Sequence, residues 1–139
     1  VVPVSTFFEQ ESEERLCLKR KGEGKQIRLR GRHGVEVTLL APEMHGRLME
    51  PFAVKVDTSD REVPVQSHEG EEFFRVLQGS CLLQYGKETL RMKKGDSVYF
   101  DSGIPHKVEQ LGKTQCLLLA VVTSRDFSFH GNLTKLLNE

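Results

Sequence analysis

No apolar run in this sequence approaches the roughly 20 residues that a membrane-spanning helix needs, so no membrane partner is expected. The run CLLLAVV at 116–122 is short and reads as a strand buried on both faces. An excess of either charge is also missing: Lys plus Arg and Asp plus Glu number 20 each. That balance excludes a module that grips nucleic acid by charge alone, because phosphate binding calls for a basic surplus. Tryptophan is absent, and the cysteines are only three, Cys17, Cys81 and Cys116. They make no C-x-x-C pair and no even disulfide framework, so reduced thiols in a cytosolic protein are expected. With no signal or transit segment visible, the expected location is the cytoplasm. The first residue is valine rather than methionine, and the chain is expected to start inside a longer gene product.

The 139 residues are enough for one domain with its own core. Residues 1–15, VVPVSTFFEQESEER, carry a helix-start signal in Thr6 and Glu9, which fit the S/T-x-x-E capping box. An acidic stretch without an apolar face follows, giving a short helix and then a linker. From residue 16 the texture changes to short strands and turns. LCLKRK, QIRLR, VEVTLLA and FAVKVD are followed by EFFRVLQ, SCLLQY, ETLRM, DSVYF, HKVEQL and TQCLLLAVVT. About ten strands at this turn spacing predict an all-β sandwich or barrel over 16–139. The tail NLTKLLNE is expected to add a terminal helical turn or two.

Chemistry concentrates in two stretches. In HEGEEFFRVLQG (68–79), residues an even number apart share one face of a strand. His68 and Glu72 should therefore point inward with Phe74 and Val76, while Glu71 and Arg75 face out. A carboxylate turned inward needs a cation or hydrogen-bond donors. In GDSVYFDSGIPHKVEQ (95–110), the DSG turn and Pro105 fix the backbone just before His106. Elsewhere His33, His45 and His130 read as surface loop residues, and Cys81 and Cys116 as small core residues.

Together the two stretches resemble the paired motifs of the cupin superfamily. The first motif, H-x-H, three or four residues, E, six residues, G, is met at residues 66–79 by Gln66, His68, Glu72 and Gly79. The second, G, five residues, P-x-G, two residues, H, three residues, N, is met at 95–110 by Gly95, Asp101, Gly103, His106 and Gln110. Three positions depart: Gln66 replaces a histidine, Asp101 a proline and Gln110 an asparagine. The resemblance implies a double-stranded β-helix, the cupin jelly-roll barrel. It also implies a metal set of His68, Glu72 and His106, with Gln66 as a weak fourth ligand. Two histidines and one carboxylate suit a divalent metal ion such as Fe, Zn, Ni or Mn. Gln66, Phe74, Tyr99 and Gln110 are the expected contacts for a small molecule, with Tyr85 the alternative to Tyr99 on strand parity.

VTLLAPEMHGRLMEPFAVKV, SHEGEEFFRVLQG and GDSVYFDSGIPHKVEQLG further resemble the C-terminal cupin domain of Xre-type helix-turn-helix regulators. In those proteins a segment like VPVSTFFEQ closes the DNA-binding domain, so residues 1–15 would be its end plus the linker. The implied function is a ligand-sensing domain that answers a small-molecule effector and acts on DNA only through the upstream domain, as a homodimer. The alternative is a metal-dependent oxidoreductase: phosphonate epoxidases also join a helix-turn-helix-like domain to a cupin holding iron by two histidines and a glutamate. A stand-alone cupin that stores a metabolite is a third reading.

Overall fold

Period-two alternation of apolar and polar residues governs most of the chain, and it folds accordingly. In the computed structural model, residues 15–28, 34–58 and 62–123 are described, and every regular element among them is a strand. There are nine: β1 (Lys25–Arg28), β2 (Val35–Leu39), β3 (Glu50–Val56), β4 (Glu71–Gln78), β5 (Ser80–Tyr85), β6 (Glu88–Lys93), β7 (Ser97–Asp101), β8 (His106–Leu111) and β9 (Cys116–Thr123). They form two antiparallel sheets, ordered β1-β2-β3-β9-β4-β7 and β6-β5-β8. This is the double-stranded β-helix that the cupin resemblance implied.

The core follows parity. Phe52, Val54 and Val56 of β3, Phe74 and Val76 of β4, and Leu118, Ala120 and Val122 of β9 all turn inward. Leu83, Met92 and Phe100 meet them from the other strands. Cys81 of β5 and Cys116 of β9, one from each sheet, are fully buried free thiols. They are core residues, as expected.

Two expectations are corrected. Residues 16–21 form no strand: Leu16 and Leu18 are 82% and 60% exposed, with no neighbouring strand to pair with. Side-chain contacts fasten the segment instead. Cys17 Sγ donates to Glu43 Oε2 at 3.3 Å, and Lys19 Nζ lies 2.7 Å from Glu43 Oε1. Nor is β9 buried on both faces. Its inner row is closed, but Leu119 is 36% exposed and Leu117 and Val121 are only half-buried. The outer face of β9 is thus apolar and only partly covered. The N-terminal helix, the C-terminal helical turn, His33 and His130 lie outside the described residues.

Gly79 joins β4 to β5 at φ +77°, in the left-handed region that glycine enters without strain. A Cβ there would sit 2.5 Å from the Gln115 carbonyl oxygen, a backbone atom that cannot swing aside. Gly79→Ala is therefore expected to destabilise the fold by more than about 1 kcal/mol, measured by urea unfolding; an unchanged midpoint would contradict the tight β4–β5 turn.

Candidate metal centre and cavity

Each sheet supplies one wall of the site. Glu72 lies on β4, on the inner row with Phe100 of β7 and Val122 of β9. His106 opens β8 in the smaller sheet, opposite Tyr85. His68 stands on the segment leading into β4. Backbone pairing stitches these pieces together: Gln66 N donates to His106 O and His106 N to Gln66 O, both at 2.8 Å. His68 N donates to Ser102 O at 3.0 Å, and Ser102 N to Gly70 O at 2.9 Å.

One ligand atom from each of His68, Glu72 and His106 falls within 4.8 Å of the others. Glu72 Oε2 lies 3.2 Å from His106 Nε2 and 3.4 Å from His68 Nε2. The two imidazoles meet edge to face, with centroids 5.3 Å apart. His106 Nδ1 donates to the Ile104 carbonyl at 2.9 Å, and a carbonyl can only accept. That bond fixes the tautomer and turns the Nε2 lone pair of a neutral ring toward the carboxylate. Two acceptors at 3.2 Å require a cation between them, either a proton or a metal ion. An imidazole held through its other nitrogen by a backbone carbonyl is the usual arrangement of a metal-binding histidine. His68 Nε2, buried and without a hydrogen-bond partner, completes the fit. The three side chains can hold a divalent cation.

Burial opposes charge on Glu72, yet its contacts with His106 and then His68 prevail and hold the carboxyl at about 2, below its usual 4.5. Burial likewise opposes charge on His106, but the Glu72 and Ile104 oxygens outweigh it and raise its pKa above 6.5. Ser102, fully buried, donates its hydroxyl to Glu72 Oε2 at 3.2 Å and so orients the carboxylate.

A cavity of about 140 Å³ opens from this cluster into the barrel. Gln66, Phe74 and Phe100 line it beside the three candidate ligands. Of the four residues expected to contact a small molecule, Gln66 and Phe74 line the cavity, whereas Tyr99 and Gln110 do not. Tyr99 is 64% exposed on the outer face and hydrogen-bonds Glu71. Phe100, one residue on, takes the inward place, with its ring centroid 5.0 Å from that of His106. Gln110 acts as a clamp: its Oε1 accepts from Thr58 N at 3.1 Å and its Nε2 donates to Thr114 O at 2.9 Å. Tyr85 packs against the core and donates to the Asp101 carbonyl. His45, as expected, is exposed on a loop.

Three residues escaped the sequence reading. Phe100 follows from parity once β7 is registered on β4 through the Glu72–Phe100 pair. Ser102 read only as part of a turn. Glu50 is fully buried on the same inner row as Glu72, across Val122, and pairs with Arg47 Nε at 2.5 Å; nothing in its local sequence marks it.

The cupin domain family model (Cupin_2) matches residues 52–122, just over half of the chain. The chain belongs to the cupin family. An uncharacterized protein of Methanocaldococcus jannaschii is 32% identical to this cupin over 73 residues, 48% of this chain and 58% of that protein. The epoxidase HppE, in its Fe(II) form, is similar in fold with a TM-score of 0.68 and 20% identity, over 79% of this chain and 62% of that one. An HTH_3 family transcriptional regulator from Vibrio cholerae gives a TM-score of 0.56 and 16% identity, over 67% of this chain and 52% of that one. This cupin therefore spans between about half and two thirds of each. Among the described residues no helix is long and apolar enough to cross a membrane.

The Glu72–His106 pair sets a pH window for the metal-free chain. A depressed carboxyl contributes stability that is complete above its unfolded value of 4.5 and lost as pH falls toward about 2. A raised imidazole contributes stability that is complete below its unfolded value of 6.5 and lost as pH rises through its folded value. Thermal unfolding in EDTA should show the highest Tm between pH 4.5 and 6.5. His106→Gln should flatten the alkaline limb; an unchanged limb would show that the pair does not form.

Proposed function

We propose that this cupin is a metal-binding, small-molecule-sensing domain of a transcriptional regulator, acting on DNA through a domain that precedes it. The observation that carries the binding site is the His68–Glu72–His106 cluster, three ligand atoms within 4.8 Å at the polar end of a buried cavity. A divalent cation held there supplies a Lewis-acid or redox centre with open coordination positions; Fe, Zn, Ni and Mn all suit two imidazoles and a carboxylate. The chain's own part is to orient that cluster, through Ile104 on His106 and Ser102 on Glu72, and to exclude water with the apolar wall. Gln66 beside His106 serves as the weak fourth ligand or as a ligand contact, and Phe74 as wall.

Sensing is favoured over catalysis by what else meets the cavity. Beyond the cluster, its polar lining among the described residues is Gln66 and Lys107, and the Lys107 ammonium is already engaged by Glu109 at 2.9 Å. Among the described residues no further carboxylate or imidazole lines the cavity. The balanced charge suits an effector domain, and the fold likeness to the Vibrio cholerae regulator supports the same reading. Residues 1–15 would then close the upstream DNA-binding domain. The unpacked outer face of β9, with Leu119 at its middle, supports a homodimer.

One observation favours a second reading. Two histidines and one carboxylate are the donor set of non-haem Fe(II) oxygenases, and Fe(II) HppE shares the fold. In that case the domain oxidises its ligand rather than sensing it.

Titration calorimetry with Zn(II) should give one site per chain, lost in His106→Ala and in Glu72→Ala. Because the metal must displace the proton on His106, affinity should fall as pH drops below the raised His106 pKa. Unchanged stoichiometry in both variants would sink the metal assignment. Coding sequence directly upstream decides the regulator: an in-frame helix-turn-helix supports it, and a start codon just before Val1 removes it. Oxygen uptake by the Fe(II)-loaded chain would establish the second reading instead.

A further inference from the structure

The cavity carries more information about its ligand than the cluster alone. Apart from Gln66, the His68–Glu72–His106 cluster and Lys107, every described residue lining it is apolar, from Val37 and Phe52 to Leu118 and Val122. The polar groups come only from residues 66–72 and 106–107, so they gather at one end and leave the rest of the wall dry. At about 140 Å³ the space is close to the roughly 150 Å³ of an apolar engineered cavity that takes up benzene. A ligand carrying charges or hydroxyls along its body, away from the head group, would strand them against valine and phenylalanine side chains, which is strongly unfavourable. The Lys107 ammonium is held by Glu109. Beyond the cluster and any ion it holds, the described wall therefore presents no uncommitted charged group for the second polar group of a hydroxyphosphonate, a polyamine or an amino acid.

We propose that the cavity takes a compact, mostly apolar molecule of about six to nine non-hydrogen atoms, a ring or branched chain carrying a single oxygen head group. The head meets the His68–Glu72–His106 end and the body fills the space between Phe74, Phe100 and Leu118. This rests on the reading of the barrel interior as the ligand site and fixes the class of ligand that site accepts. Hydroxyphosphonates, polyamines and free amino acids carry a second polar group, which the apolar part of the described wall would leave unpaired.

The test uses the whole chain, metal-free and Zn(II)-loaded, with valine and leucine methyl groups labelled for NMR. Benzyl alcohol and benzoate are the probes; hydroxypropylphosphonic acid, spermidine, L-glutamate and the oversized 2-naphthoate are the comparators. The expected result is saturable shifts of the Val54, Leu118 and Val122 methyls with benzyl alcohol or benzoate, and none with the comparators. Which of the two binds distinguishes a hydroxyl from a carboxyl head. Ala120→Leu, which fills the cavity from β9, should weaken that binding at least tenfold, and Val54→Leu serves if the first variant does not fold. Saturation by the phosphonate, spermidine or glutamate would overturn the proposal, as would 2-naphthoate binding as tightly as benzoate, or shifts confined to methyls outside the cavity. Failure of the metal reading is separately visible: Zn(II) gives no calorimetric signal, while the methyl shifts in the metal-free chain still support the ligand class.

Discussion

Four backbone hydrogen bonds between residues 66–70 and 102–106 hold the site together. The reciprocal Gln66–His106 pair and the two bonds on Ser102 join a segment before β4 to the turn before β8. Without them the backbone of His68 would lose its pairing with Ser102, and the start of β8 would be held to Glu72 by side-chain contacts alone. Each such bond contributes only about 1 kcal/mol net. Their effect here is geometric, because they fix two side chains from opposite sheets against one carboxylate. Pro105 adds a restricted φ immediately before His106, so the imidazole is held by its own backbone, its neighbour and its Nδ1 bond at once.

The inner row of the larger sheet carries two carboxylates, and the contrast between them identifies the site. Glu50 and Glu72 flank Val122 from β3 and β4. Glu50 has a guanidinium beside it, and Arg47 is further anchored on the Met44 carbonyl. Its charge is balanced by a group that stays protonated at any working pH. Among the described residues Glu72 faces two imidazoles, which can give up a proton in exchange for a metal ion. An inward carboxylate with a permanent partner is structural. One whose partners are two histidines is poised for exchange.

Much of this was legible in the sequence, because a strand's period of two converts spacing into facing. Counting evenly from His68 places Glu72, Phe74 and Val76 on one wall, and the turn residues before His106 place it opposite. Counting failed where the starting point was loose. Tyr99 was read inward because the end of β7 was uncertain by one residue, and a slip of one exchanges the faces of a strand; Phe100 holds that place. Gln110 stands at a motif position but its amide is consumed by Thr58 and Thr114, partners brought near only by the fold. The apolar run at 116–122 looked two-sided because sequence hydrophobicity does not distinguish a strand covered on both faces from one with an unpacked apolar outer face. Glu50 and Ser102 were invisible for a simpler reason: their burial depends on which strands become neighbours.

That unpacked face also bears on how a sensor of this build would work. Along β9 successive residues alternate between the cavity and the outside, so Leu118 touches the ligand space while Leu119 lies on the exposed face. A ligand filling the barrel presses on Leu118, Ala120 and Val122, and any shift of the strand moves Leu119 and Val121 with them. A rigid strand converts occupancy into displacement without a chain of intermediate side chains. For occupancy to alter a partner surface, the ligand must favour one placement of β9 over another. A catalytic cupin has no use for this coupling, whereas a sensing one depends on it. The apolar outer row of β9 is therefore where the two readings of the same metal centre part.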